Sequence, residues 1–202
     1  MLFGLGARKD GSGGEGDRVP PGQRVTAGFP VLHHGEVPYY RDMGLWNLRL
    51  FGLVEEDAEI SYKEFMQLPR QQFGNDIHCV TTWSKLDNVW EGVAVATVME
   101  RVKVKPEAKF VMLHAEHGWS TNLPLEDFLR DTSFFAIKHG GEILSPEHGY
   151  PVRMVVPHLY FWKSAKWLRG IEFMASDKPG LWERNGYHMY GDPWKEERYD
   201  FD

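Results

Sequence analysis

The chain has 202 residues but only one cysteine, Cys79. An intrachain disulfide is therefore impossible, and nothing in cysteine usage calls for an oxidising compartment. Long apolar runs are also missing. The longest are short pieces such as Phe110 to Leu113 and Leu159 to Trp162, far below the length that spans a bilayer, so no membrane segment is expected. Excess positive charge is absent too: 23 Lys and Arg stand against 29 Asp and Glu, a formal net charge of -6. That balance argues against a nucleic-acid partner and against coating an anionic membrane. The start, MLFGLGARKDGSGGEGD, has no sustained apolar stretch, no small-residue cleavage site and no twin arginine, so a cytoplasmic location is expected.

What the chain does have is aromatic mass, with 12 Phe, 8 Trp and 8 Tyr in a chain that is 42% hydrophobic. Such a composition buries a real core and excludes both a disordered polymer and a coiled coil. Residues 1–25 are rich in Gly and charge and read as a flexible tail. Residues 26–202 show no internal repeat and read as one domain. Trp46 to Gly52 alternates as a half-buried strand, and Ser61-Tyr62-Lys63-Glu64 forms a capping box for a short helix stopped by Pro69. Strands are expected at Phe73 to Cys79, Lys109 to His114, Pro151 to Pro157 and Ile171 to Ala175, with helices at Val93 to Val102 and Pro124 to Leu129. Gly140-Gly141 joins Phe134 to Lys138 and Glu142 to Leu144 as a hairpin. The class is α+β, mostly β in mixed, barrel-like sheets with short helices; Trp182 to Tyr199 is expected to lie as coil over the domain.

Three features could carry chemistry. From Gly149 to Ile171 the chain has Arg153, Lys163, Lys166 and Arg169 but no acidic residue, which is either a solvated basic face or an anion site. The nine histidines include His114 and His117, yet no zinc signature is present, and a zinc hydrolase using Asp76 or Glu116 has little support from spacing. Cys79 follows His78, but neighbours on a strand point to opposite faces, so a Cys-His nucleophile is disfavoured. A buried inert thiol and a soft ligand for one metal position both remain open.

The order of these pieces resembles the sulfite oxidase-like family of molybdopterin-dependent oxidoreductases, in which one cysteine and the cofactor's dithiolene hold molybdenum. The likeness runs from about residue 29 to residue 190. It is carried by Phe29-Pro30-Val31-Leu32-His33-His34-Gly35-Glu36-Val37-Pro38, by Cys79-Val80-Thr81-Thr82-Trp83-Ser84, and most specifically by His148-Gly149-Tyr150-Pro151-Val152-Arg153-Met154-Val155-Val156-Pro157 with Lys166-Trp167-Leu168 downstream. The resemblance implies a molybdenum-molybdopterin cofactor with Cys79 as the metal ligand. It further implies contacts to the cofactor from His33, His34, His148, Arg153, Lys163, Ser164 and Lys166. By the same likeness Tyr187, in Trp182-Glu183-Arg184-Asn185-Gly186-Tyr187, places a catalytic hydroxyl near the metal, and Ser120 and Thr121 face the cofactor.

The departures point to the substrate. Sulfite oxidases carry an arginine before the position of His33, where this chain has Leu32, and an Asn-Arg-Arg group after the cysteine, where it has Thr82, Trp83 and Ser84. Without those cations an oxyanion such as sulfite is poorly held. The expectation is oxygen-atom transfer to or from a small molecule, with reduction of an S- or N-oxide favoured, and electrons exchanged with a separate partner protein. The alternative is a non-catalytic binding protein stacking a sugar or peptide on Trp182, Tyr187, Tyr190 and Trp194.

Overall fold

The computed structural model describes residues 15–202. Two open sheets organise it. The first is built on β1 (Arg24–Val25), β4 (Gln71–His78), β5 (Trp83–Ala94), β8 (Phe134–His139), β9 (Glu142–Ile143) and β10 (Arg153–Val155). The second has the order β3 (Ala58–Ser61), β2 (Asn47–Gly52), β11 (Leu168–Met174), β6 (Phe110–Ala115), β7 (Ser120–Pro124). Pairing is mixed: β11 runs parallel to β2 and antiparallel to β6. The expected α+β class with mostly sheet is what is found, although neither sheet closes into a barrel.

Local chemistry sets these elements. Ser61 Oγ accepts from Glu64 N at 3.3 Å and Glu64 Oε2 accepts from Ser61 N at 2.9 Å, a completed capping box that starts α1 (Tyr62–Gln67) and leaves Phe65 fully buried. The other helices are single turns, α2 (Val95–Met99) and α3 (Leu125–Phe128). The helix expected from Val93 is thus shorter. Val93 and Ala94 still belong to β5, paired with Phe135 and Phe134, because two buried β neighbours outweigh a weak helical pattern. At Gly92 a Cβ would collide with the Phe135 carbonyl, so only glycine allows β5 and β8 to approach there. The main core lies between the sheets, where Leu48, Leu50, Val111, Leu113, Phe135, Met154, Ile171 and Phe173 meet almost without exposure.

Residues 1–14 of the expected flexible tail lie outside the described residues. Its remainder makes specific contacts. Arg18 donates to both Asp76 oxygens at 2.9 and 2.6 Å and to Asp87 at 2.7 Å, and β1 pairs in parallel with Trp83 and Ser84 at the start of β5. Composition hides this, because two backbone-paired residues and one bidentate arginine need no apolar run. The C-terminal segment is largely irregular, as expected, held by two short 3-10 turns and a bridge between Tyr187 and Tyr199.

Candidate functional site

The turn joining β4 to β5 carries the only thiol. Cys79 N donates to Trp83 O at 2.8 Å and Thr82 N to Cys79 O at 3.0 Å, with Thr82 at φ 74°. This tight turn leaves the side chain at a strand end, 8% exposed, with Sγ 3.1 Å from Thr81 Oγ1. Burial pushes the thiol pKa up, while the Thr81 hydrogen bond and the Arg198 charge oppose that shift. His78 does face elsewhere: its ring is buried against Ser84 Oγ at 2.8 Å, and burial lowers its pKa to about 4.

Cys79 opens into a cavity of about 310 Å³. Of the residues named from the sequence, His33, His34, Cys79, His148, Arg153, Ser164, Lys166 and Tyr187 all line it. Its walls contain no Asp or Glu. At one end Arg153, from β10, is 2% exposed and donates to His148 O and Ser164 O, both at 2.9 Å, with its guanidinium 4.3 Å from the Phe161 ring centroid. No carboxylate pairs with it among the described residues, and burial alone lowers its pKa to about 9. Lys166 donates to Leu32 O at 2.7 Å and Glu147 O at 2.8 Å. Burial first, then the Arg153 charge, pull its pKa to about 7. Gly149, at φ 112°, lets these two stems converge, since a Cβ there would sit 3.0 Å from Arg153 Cβ and 3.2 Å from Lys166 Cβ.

His148 closes this end in a defined tautomer. Its Nε2 lies 3.2 Å from Phe29 O, which can only accept, so Nε2 carries the proton and Nδ1 accepts from Ser145 Oγ at 3.0 Å. The ring stacks on Phe29 at 4.1 Å, and burial keeps its pKa low. Ser164 Oγ accepts from Val156 N at 2.9 Å, and the residue lines the cavity. Near the thiol, Trp182 and Tyr187 stack at 5.2 Å and Trp162 meets Tyr187 edge-on at 5.0 Å. The Tyr187 pKa is raised by burial. His33 and His34 sit at the exposed rim, against Trp167 and Trp182.

Lys163 is not part of this wall. Its ammonium is fully buried on the other side of the turn, donating to Glu183 Oε1 at 2.7 Å, Asn122 Oδ1 at 2.8 Å and Met189 O at 2.7 Å. Successive residues of a 3-10 turn diverge, so the Lys163-Ser164-x-Lys166 stretch splits between core and cavity. Ser120 and Thr121 are likewise placed away from the cavity. Both are buried, and Thr121 Oγ1 donates to Glu183 at 2.9 Å, while the neighbouring Trp119 lines the wall. Lys163→Met should cost about 3–5 kcal/mol by leaving Glu183 buried and unpaired. Urea unfolding measures it, and adding Glu183→Gln should recover part of the loss.

Trp83, Trp119, Phe161 and Trp167 complete an aromatic wall to which the sequence motifs assign no individual role, since an aromatic side chain in a strand-rich chain carries no signal that separates a pocket wall from core; each lines the cavity. The alternatives fare less well. Trp182 and Tyr187 are half-buried in the cavity wall rather than displayed on a surface, whereas Trp194 is exposed. Asp76 is taken by Arg18 and Glu116 by Arg169. Among the described residues no three His, Cys, Asp or Glu side chains form a metal cluster. No helix of the described residues is long and apolar enough to cross a membrane.

A cavity with a lone thiol at one end and uncompensated cations at the other suits a negatively charged group that brings its own metal donors. The family described as "Oxidoreductase molybdopterin binding domain" matches residues 34–182. The chain belongs to that family and is a molybdopterin-dependent oxidoreductase with molybdenum-molybdopterin as its cofactor. It is 57% identical over 202 residues to the uncharacterized oxidoreductase YuiH of Bacillus subtilis (strain 168), covering 100% of each chain. It is 24% identical to the protein-methionine-sulfoxide reductase catalytic subunit MsrP of Campylobacter jejuni, over 72% of this chain but only 54% of that one. In fold it is similar to the sulfane dehydrogenase SoxCD from Paracoccus pantotrophus, with a TM-score of 0.66 at 21% identity over 76% of this chain and 43% of that chain.

Proposed function

We propose that this chain reduces a small neutral S- or N-oxide, taking electrons from a separate partner protein. The observation that carries this reading is the make-up of the cavity wall: among the described residues its only Lys and Arg side chains are Arg153 and Lys166, and Trp162, Trp182 and Tyr187 pack around Cys79. The residues present fit the cofactor. Arg153 and Lys166 offer donors without a carboxylate partner, and with Ser164 they suit its anionic arm. Cys79 offers the one soft donor.

When bound, the cofactor supplies two-electron oxygen-atom transfer. The rest is the chain's own work. Cys79 Sγ would ligate the metal, and His33 and His34 would close the rim. The ring of His148, with both nitrogens already engaged, packs as a neutral wall beside Phe29. Tyr187, packed near Cys79, would offer its phenolic proton as one of the two that, with two electrons from the partner, turn the oxide oxygen into water, the second proton coming from solvent, while the aromatic walls shield the pocket from bulk water. Among the described residues Arg153 is the only arginine in the cavity wall, and Leu32 and Trp83 line it where the sequence departs from the sulfite oxidase pattern, so a neutral oxide is preferred to sulfite. The cytoplasmic location expected from the sequence is carried into this proposal and is checked by cell fractionation.

The test is to purify the chain from a molybdenum-replete host and measure metal and turnover. About one molybdenum per chain is expected from the single-ligand site, with oxidation of a reduced viologen dye driven by methionine sulfoxide or an amine N-oxide. Sulfite oxidation outrunning both oxides would reverse the assigned direction. Absence of turnover with a full complement of molybdenum would favour a storage or transfer role for the same site.

A further inference from the structure

The Cys79 turn is held from outside the family-matched region. Residues 34–182 carry the match, yet the two carbonyls at the thiol are bonded by side chains on either flank. Gln23 Nε2 donates to Cys79 O at 3.0 Å. Arg198 Nη1 donates to Val80 O at 2.9 Å, and its Nη2 reaches Pro21 O at 3.3 Å. Arg24 N adds a bond to Thr82 O at 3.0 Å.

The Arg198 side chain is only 13% exposed, lies 5.0 Å from the ring centroid of the buried Tyr160, and pairs with Glu196 at 3.6 Å. A planar fork of this kind spans two carbonyls that a single ammonium cannot bridge with the same geometry. One guanidinium thus ties the 21–24 segment, the Cys79 turn and the C-terminal coil together. The turn needs such bracing, since Thr82 sits at φ 74°, a backbone state that a β-branched residue adopts only when its surroundings enforce it.

We propose that Gln23 and Arg198 are positioning residues that fix where the Cys79 sulfur points into the cavity, and so set its geometry toward the metal. The inference rests on Cys79 being the ligand, but the clamp on the thiol can be read with or without the cofactor. Because the chain has a single cysteine, alkylation reports on that turn alone.

The experiment uses the full chain in two states. In cofactor-free protein from a host unable to make the cofactor, iodoacetamide should modify Cys79, compared at equal thiolate fraction after measuring the rate against pH, about tenfold faster in Arg198→Met than in wild type, as the turn opens locally once its hydrogen bonds are lost. Arg198→Lys should fall between the two. Arg169→Met is the control: it removes bonds to Glu116, Asn47 and Leu45 and tests whether general loosening produces the same effect. In the loaded enzyme, the electron paramagnetic resonance signal of the half-reduced metal should shift in Arg198→Met and Gln23→Leu and stay at wild type in Arg169→Met. Gln23→Leu carries both measurements if Arg198→Met does not fold, as judged by near-ultraviolet circular dichroism. Alkylation no faster than in Arg169→Met, or an unshifted signal, would overturn the proposal. A protein that never takes up molybdenum would sink the functional reading while leaving the alkylation test intact.

Discussion

Cys79→Ser should keep close to the wild-type molybdenum content and lose about 10³-fold or more in turnover, roughly 4 kcal/mol of barrier. The serine fits the turn, because its hydroxyl can hold the contact to Thr81 Oγ1 that Sγ makes at 3.1 Å, and the backbone bonds to Trp83 O and from Thr82 N do not involve the side chain. What changes is the donor. A thiolate is soft and polarizable, whereas a serine hydroxyl is a hard ligand that gives up its proton far less readily. Retention of the cofactor is assigned to the cationic end of the cavity, so metal content and turnover should separate. Plasma emission spectrometry beside dye-linked oxide reduction measures both on one sample. Full turnover in the serine variant would remove Cys79 from the metal, and parallel loss of metal and turnover would show that the thiol, not the cradle, retains the cofactor.

The strands with plain apolar runs were legible in the chain itself, as at Phe110 to Leu113, and so were the Ser61–Glu64 cap and the Gly140-Gly141 hairpin. The longest strand was not. Trp83–Ala94 runs through the polar stretch Ser84 to Asn88, with Asp87 at φ 53°, and is held by partners on both sides that no local pattern reveals. At the site, composition alone left the basic stretch as an ordinary solvated face, and only the family resemblance turned Arg153 and Lys166 toward an anion. Lys163 shows the limit of that transfer. One turn of backbone sends its ammonium to Glu183 while the neighbouring Ser164 lines the cavity, and which neighbour borders the cavity is a property of the packed turn.

Arg153→Met should fold and should lose most of its molybdenum. The guanidinium now sits without a counter-ion, giving its hydrogen bonds to the carbonyls of His148 and Ser164, an arrangement that burdens folding and fits an arriving anion. Each charge-assisted hydrogen bond is worth about 1.5–3 kcal/mol, so losing one or two lowers retention by about 10- to 100-fold at the weaker end. Lys166→Met should be milder and should differ in its pH dependence. In cofactor-free chain the Lys166 pKa is near 7 and that of Arg153 near 9. An anion favours the protonated ammonium, so sulfate binding should weaken as pH rises through 7, by up to about tenfold per unit. That slope should vanish in Lys166→Met. Arg153→Met should instead bind more weakly across pH 6 to 8, with the slope moved to higher pH because the Arg153 charge no longer depresses Lys166. Stability carries the opposite sign. Unfolding restores the lysine pKa to about 10.4, so at this residue the unfolded state binds more protons between about pH 7 and 10, and the cofactor-free wild type should gain stability relative to Lys166→Met over that range. Calorimetric titration with sulfate at fixed ionic strength, with urea midpoints at the same pH values, reads both effects. A pH-independent wild type, or an Arg153→Met protein that keeps its full complement of molybdenum, would mean the anion is held elsewhere in the cavity.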